Sequence, residues 1–352
     1  MIHRLYLLIL FLAPLFMPFA AGAQTRNYER FAAGENHYLV LMADGTLWSL
    51  GKNQYGQLGD GTTTDRQQPV KILSNVKSIA CGSNHSLAVL NDGSLYAWGW
   101  NDCGQLGDGT TTPRSTPVKI LDNVRWADGG GAFSLAVLND GSLWTWGKNN
   151  KGQLGDGKTK DRHEPKKILT DVQSAACGYA HAMAVLNNGT LYGWGWNYDS
   201  QLADYTTEDR KKPVRILSNV KSVDCGFAYT MALLYDGDLQ VWGCNNYGQL
   251  GDGTNKNRNH PKSIMKNVRE LTCGYAHSMA ITNGNQLYIW GANGNGQVNE
   301  GTTTTRHSPV MIANDVKTAA ATGSSSIYVT NQGQVYTAGL LYWYNHSIHQ
   351  PK

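Results

Sequence analysis

The chain has 352 residues, with 40 Gly, 11 Trp and 18 Tyr, 16% charged residues and a formal net charge of +4. Gly stands above and charge below average usage, yet 41% apolar content with so little net charge excludes a disordered chain. No Gly-X-Y period is present, which excludes collagen, and no long run of one charge forms a tail.

The first element is an apolar run. His3 and Arg4 precede Leu5 to Ala20, and Ala21-Gly22-Ala23 follows. A small-x-small site after such a run predicts a secretory signal peptide over 1–23, cut after Ala23. The run is 16 residues long and is broken by Pro14 and Pro18. A span needs ~20 residues, so no membrane insertion is expected after cleavage. Residues 24–352 are therefore expected to be one exported domain, secreted or periplasmic, and a monomer. Loss of Arg4 lowers the formal charge from +4 to +3. A charge so small and so dispersed argues against nucleic acid.

Beyond residue 24 the chain repeats. Trp98-Gly99, Trp146-Gly147, Trp194-Gly195, Trp242-Gly243 and Trp290-Gly291 recur every 48 residues, and Leu50-Gly51 and Ala338-Gly339 extend the series. The anchors Gly51, Gly99, Gly147, Gly195, Gly243, Gly291 and Gly339 admit no insertion. A period of 48 suits one propeller blade of about four strands. The prediction is an all-β fold: a seven-bladed β-propeller of 48-residue repeats with about four antiparallel strands per blade.

The second repeat shows the unit in order. Lys77 to Cys81 reads as a first strand, and Ser86 to Leu90 as a second. Asn91-Asp92-Gly93 is a hairpin signal, since Gly accepts the positive φ of a tight turn. Ser94 to Trp98 is a third strand. Asn101 to Thr116 is a long Gly/Thr loop, and Pro117 to Leu121 is a fourth strand with Pro at its start. The first strand ends on small residues: Ala80-Cys81-Gly82, Ala176-Cys177-Gly178, Cys225-Gly226 and Cys273-Gly274. Small side chains let neighbouring strands crowd at an axis, so this strand is expected innermost.

The long loop carries Gly-Gln-Leu-Gly-Asp-Gly at 56–61, 104–109, 152–157 and 248–253, with degenerate copies at 200–205 and 296–301. Arg66, Arg114, Arg162, Arg210, Arg258 and Arg306 follow, each three residues before a Pro. A polar residue present in every unit reads as architecture: Gln57 and its equivalents binding loop backbone, and Arg pairing with the nearby Asp.

Cys-Gly-x-x-His, Asn-Asp-Gly-x-Leu-x-x-Trp-Gly and Asn-x-x-Gly-Gln-Leu-Gly together resemble the regulator of chromosome condensation repeat. Six clear copies and a partial seventh cover essentially the whole mature chain. The resemblance implies the seven-bladed propeller. Its known members include an exchange factor for the GTPase Ran, an ultraviolet photoreceptor and a secreted bacterial β-lactamase inhibitor. Unbroken 48-residue spacing leaves no room for the exchange factor's inserted wedge, and the photoreceptor's Gly-Trp-Arg-His-Thr pattern is absent. Export, blade number and lack of insertions fit the secreted inhibitor style best.

Catalysis finds no foothold. His37, His85, His181 and His277 share one repeat position with Phe133, Tyr229 and Ser325, so they read as core or hydrogen-bonding residues. No local ligand spacing suggests a metal, the 60–65 segment lacks the acids of a calcium loop, and no catalytic or cofactor-binding constellation stands out. No catalytic residue, cofactor or metal is therefore expected. Cys81, Cys177, Cys225 and Cys273 occupy one small-residue position, and Cys103 and Cys244 lie in distant loops; mostly free thiols are expected.

Antiparallel strands place the loops after the first and third strands on one face. Aromatics collect there: Phe133, Tyr179, Phe227, Tyr229 and Tyr275 after the first strand, and Tyr55, Trp100, Trp196, Tyr198 and Tyr247 after the third. Lys52 and Lys148 stand at the position of Trp100 and Trp196. Rigid aromatic area marks a protein-binding face. The expected function is a non-catalytic, secreted protein-binding propeller that inhibits or scaffolds an envelope or extracellular enzyme. The alternatives are an exported exchange factor for a Ran-type host GTPase and, more weakly, glycan binding. Leu340 to Lys352 departs from the repeat, and this tail is expected to help close the ring.

Overall fold

The computed structural model describes residues 28–339. The predicted signal peptide and the tail expected to close the ring lie outside the described residues. Within them the chain forms 27 strands and no helix. The strands make seven antiparallel sheets in simple meander order, six of four strands and a seventh with three. This is the seven-bladed propeller.

The second blade runs Val76–Cys81, His85–Leu90, Leu95–Gly99 and Arg114–Leu121 from axis to rim. Its fourth strand starts at Arg114, three residues earlier than its Pro suggests. Arg114 pairs with Gly99 and Val118 with Ala97, so Ser115 to Pro117 form a bulge opposite Trp98. A bulge on an edge strand is where Pro loses no ladder bond. The same irregularity recurs in every four-stranded blade.

The core lies between blades. Trp98 is fully buried and packs on Leu39, Leu41 and Leu47 of the preceding blade. Its Nε1 donates to the Gln57 carbonyl at 3.0 Å. Trp146, Trp194, Trp242 and Trp290 repeat that bond at 2.9 Å. Each buried indole contributes roughly 5 kcal/mol of apolar transfer before the entropy of ordering it. The innermost strands do crowd the axis: a Cβ on Gly129 would stand 2.5 Å from the Gly82 nitrogen.

Polar pins cross the same seams. His37 Nε2 meets Ser86 Oγ at 2.9 Å, and Ser86 Oγ donates to the Gln57 carbonyl at 2.8 Å. The serine proton is thus committed, so the imidazole donates. His85 to Ser134, His181 to Thr230 and His277 to Ser326 repeat the pin. At the closing seam Tyr38 and Ser325 hydroxyls bond at 3.2 Å, and Ile327 packs on Tyr38, Val40 and Leu50.

Candidate functional site

One face is built by the loops that leave the first strands. Each turns on a small residue followed by Glu35, Ser83, Gly131, Tyr179, Phe227, Tyr275 or Gly323 in blades one to seven. Gly178 must lack a side chain, because a Cβ there would lie 2.1 Å from the His181 ring. The loops are tied in a belt. Glu35 N donates to Ser83 O at 2.9 Å, Gly131 N to Tyr179 O at 2.9 Å, and Tyr179 N to Phe227 O at 3.3 Å. Phe227 N to Tyr275 O and Tyr275 N to Gly323 O continue it at 3.2 Å.

On this rigid rim three rings lie side by side. Tyr179 and Phe227 centroids are 4.4 Å apart, and Phe227 and Tyr275 are 4.3 Å apart. Trp196 meets Phe227 edge-on at 5.9 Å. Tyr179 and Tyr275 remain 46% and 48% exposed, and Tyr198 and Tyr247, in the outer loops of blades four and five, 72% and 55%. Six of the ten expected residues therefore share one arc over blades four to six. Tyr55 and Trp100 form a separate half-buried pair, 5.8 Å apart, on blades one and two.

Phe133 and Tyr229 are corrections. Both are fully buried and offer nothing to a partner. They occupy the seam position held elsewhere by His, under Gly130 and Gly226. Tyr229 OH donates to the His277 carbonyl at 2.6 Å and accepts from Ser278 Oγ at 3.0 Å. The shared repeat position with four buried His was the signal that they are core.

The long loops are held as expected from the Arg and Gln series. Arg66 reaches Asp60 at 2.6 Å and Arg162 reaches Asp156 at 2.5 Å; Arg306 uses Glu300 at 2.5 Å. Gln57 Oε1 accepts from Tyr55 N at 2.9 Å. The hub that sequence reasoning missed is Asn53, with Asn101, Asn149, Asn197, Asn245 and Asn293, all fully buried. Asn245 Oδ1 accepts from Leu250 N at 3.0 Å, while Nδ2 donates to Asp252 and to the Thr254 carbonyl at 3.1 Å. Recurrence every 48 residues was its signal.

Inside the rim the axis widens into a funnel of about 930 Å³. Asp128 and Asp224 stand on its wall, where other blades have Ala or Thr. Asp128 accepts from Gly129 N and Cys177 N at 2.9 Å, and Asp224 from Cys225 N and Cys273 N at 2.8 Å. They cap the unpaired edge of the inner strands. Burial pushes Asp128 up to about 7 and Asp224 up to about 6. Burial also raises the Cys177, Cys225 and Cys273 thiols well above their usual range, so they are poor nucleophiles. All six cysteines are free thiols. Among the described residues, no group of three or more His, Cys, Asp and Glu could hold a metal, and no helix is long and apolar enough to cross a membrane.

The RCC1-like domain family matches residues 129–345. Regulator of chromosome condensation (RCC1) repeats match at 44–89 and 92–137, and a second description of the repeat matches at 29–57 and 76–105. No curated protein sequence matches the chain significantly. Among solved structures, human WBSCR16 is 24% identical with a TM-score of 0.78, over 87% of this chain and 88% of that one. Prp20p from Saccharomyces cerevisiae, described with its binding to Gsp1p and histones, is 24% identical with a TM-score of 0.75, over 89% and 82%. These likenesses show the fold.

Proposed function

The chain belongs to the RCC1-like domain family, and from that premise we propose that it is a non-catalytic protein-binding propeller whose partner docks on the aromatic arc of blades four to six. The row Tyr179–Phe227–Tyr275 carries this reading. Three rings, two of them nearly half-exposed, sit on loops that are fixed by backbone hydrogen bonds. They present large area with little entropy left to lose on binding. The exposed tyrosines of blades four and five enlarge the patch, and Ser83, Gly131 and Gly323 leave the opposite rim low.

The finer reading is an exported protein, secreted or periplasmic, that inhibits or scaffolds an envelope or extracellular enzyme. It rests on the N-terminal apolar run and its small-residue site. The competing reading, nucleotide exchange on a Ran-type GTPase, draws on the likeness to Prp20p; the unbroken 48-residue spacing, with no inserted wedge, weighs against it.

Capture assays with purified β-lactamases, with envelope extracts and with a Ran-type GTPase separate these readings. The variant Tyr179→Ala with Phe227→Ala and Tyr275→Ala should melt like the parent and lose affinity by on the order of 100-fold or more. Unchanged capture by that variant rejects this face. Capture of the GTPase with accelerated nucleotide release favours the exchange factor.

A further inference from the structure

The opposite face, where the Asp-Gly hairpins turn, carries a charge pattern hidden by its spacing. Each innermost strand starts on that face. Its second residue is Glu29 in blade one and Lys77, Arg125, Gln173, Lys221, Arg269 or Lys317 in blades two to seven. Five of these seven are cations and one is an acid, and side chains link several of the neighbouring blades. Arg125 Nη2 donates to the Val172 and Gln173 carbonyls at 2.8 and 2.9 Å. Gln173 Nε2 donates to the Lys221 carbonyl at 3.2 Å. Arg269 Nη2 donates to the Val316 and Lys317 carbonyls at 2.8 and 2.9 Å. The two guanidiniums are thereby fixed, while Lys77, Lys221 and Lys317 are exposed.

Most acids of this face are held by partners outside the ring. Hairpin residues Asp44, Asp92 and Asp140 accept from the Thr46, Ser94 and Ser142 N–H groups, with Lys71, Lys119 and Lys167 of the outer strands nearby. Lys119 also pairs with Asp122 at 2.7 Å, and Lys266 with Asp238 at 2.8 Å. Asp171 and Asp315 accept from Asn187 and Asn331. Glu270, the acid nearest the ring, holds Arg269 Nη1 at 3.0 Å and Thr318 Oγ1 at 2.7 Å. No ion pair among the described residues involves Lys77, Lys221 or Lys317. The rim thus balances much of its own charge, and around the axis five cations stand against two acids, Glu29 and Glu270. Arg30, on the first blade's inner strand, adds a cation to the axial wall.

An excess of cations at one opening focuses positive potential on the axis. A compact ligand with several anionic groups can meet cations from several blades at once. We propose that the axial opening on the hairpin face binds a compact, multiply phosphorylated small molecule. Lys77, Lys221 and Lys317 contact it as mobile point charges, and Arg125 as a fixed donor. This site lies at the other end of the axis from the aromatic arc and does not depend on it.

Calorimetric titration of the full chain with inositol hexakisphosphate as probe tests this. Binding should be on the order of 100-fold tighter than to inorganic phosphate and should weaken with added salt. Lys77→Gln with Lys221→Gln and Lys317→Gln should lose at least about tenfold, and Lys221→Gln alone several-fold, with melting curves unchanged. Lys71→Gln with Lys119→Gln and Lys167→Gln removes equal charge from the rim and should retain binding. The aromatic triple-alanine variant should also bind the probe normally. Equal loss in the rim variant, no preference over inorganic phosphate, or binding only to phosphatidylserine vesicles would overturn the proposal.

Discussion

The four seam histidines illustrate how one side chain couples the fold to pH. Burial holds His37 and His277 down to about 4, and His85 and His181 down to about 3. An unfolded histidine titrates near ~6.5. Between these values the unfolded chain takes up protons that the folded one refuses. The stability these residues contribute is therefore complete above that value and is lost as pH falls toward 4 and 3, at up to about 1.4 kcal/mol per pH unit for each. Asp128 and Asp224 have the opposite sign. Their folded values of about 7 and about 6 lie above the unfolded value of ~3.9, so their contribution is complete below that value and is lost as pH rises from there to 6 and 7. The melting temperature should fall from pH ~6.5 to ~4, and Asp128→Asn with Asp224→Asn should steepen that fall. Melts across that range check it, and a flat profile for both proteins would show that the imidazoles are not buried neutral.

At the scale of one element, the long loop keeps its shape because a buried amide replaces a strand ladder. Asn245→Ala would leave the buried Leu250 N–H without its acceptor and take a donor from the Asp252 carboxylate and from the Thr254 carbonyl, at a cost of about 2–4 kcal/mol. Arg258→Ala takes the cation from a buried carboxylate that keeps Asn245 and Thr254 as donors, and should cost less, about 1–2 kcal/mol. Urea unfolding of the two variants measures the difference, and a reversed order would make the Arg pair the true hinge of the loop. The strands, the hairpins, the innermost position of the first strand and the Arg–Asp pairs were all legible, because each follows from local spacing. The early start of the fourth strand was not. Pro117 looks like a strand beginning, and only pairing of Arg114 with Gly99 across the bulge shows otherwise. Asn245 and its equivalents were in plain view, but their burial depends on the loop folding back over them.

For the whole molecule, stability depends on closing the ring. Ile327 is 5% exposed and joins the seventh blade to Tyr38, Val40 and Leu50 of the first. Ile327→Ala should cost about 2–4 kcal/mol, and hydrogen exchange should rise first in the two blades that flank this seam. Exchange rising equally in all blades would mean the ring opens elsewhere or all at once. The sequence by itself determined the number of blades, their four-strand plan and the residues between them. A repeat of 48 with fixed Trp-Gly, Asp-Gly and Gly-Gln-Leu-Gly signals leaves no other packing for so many short amphipathic strands. It also placed an aromatic face, because strand direction alternates. The tertiary structure alone decided which of those aromatics are free. Phe133 and Tyr229 begin the second strands of their blades, just past the loop position that Tyr179 holds in its own, and their rings turn into the seams, where they are fully buried. It decided too what the charges mean. Cations 48 or 96 residues apart read as dispersed along the chain, and circular closure sets them side by side around one axis.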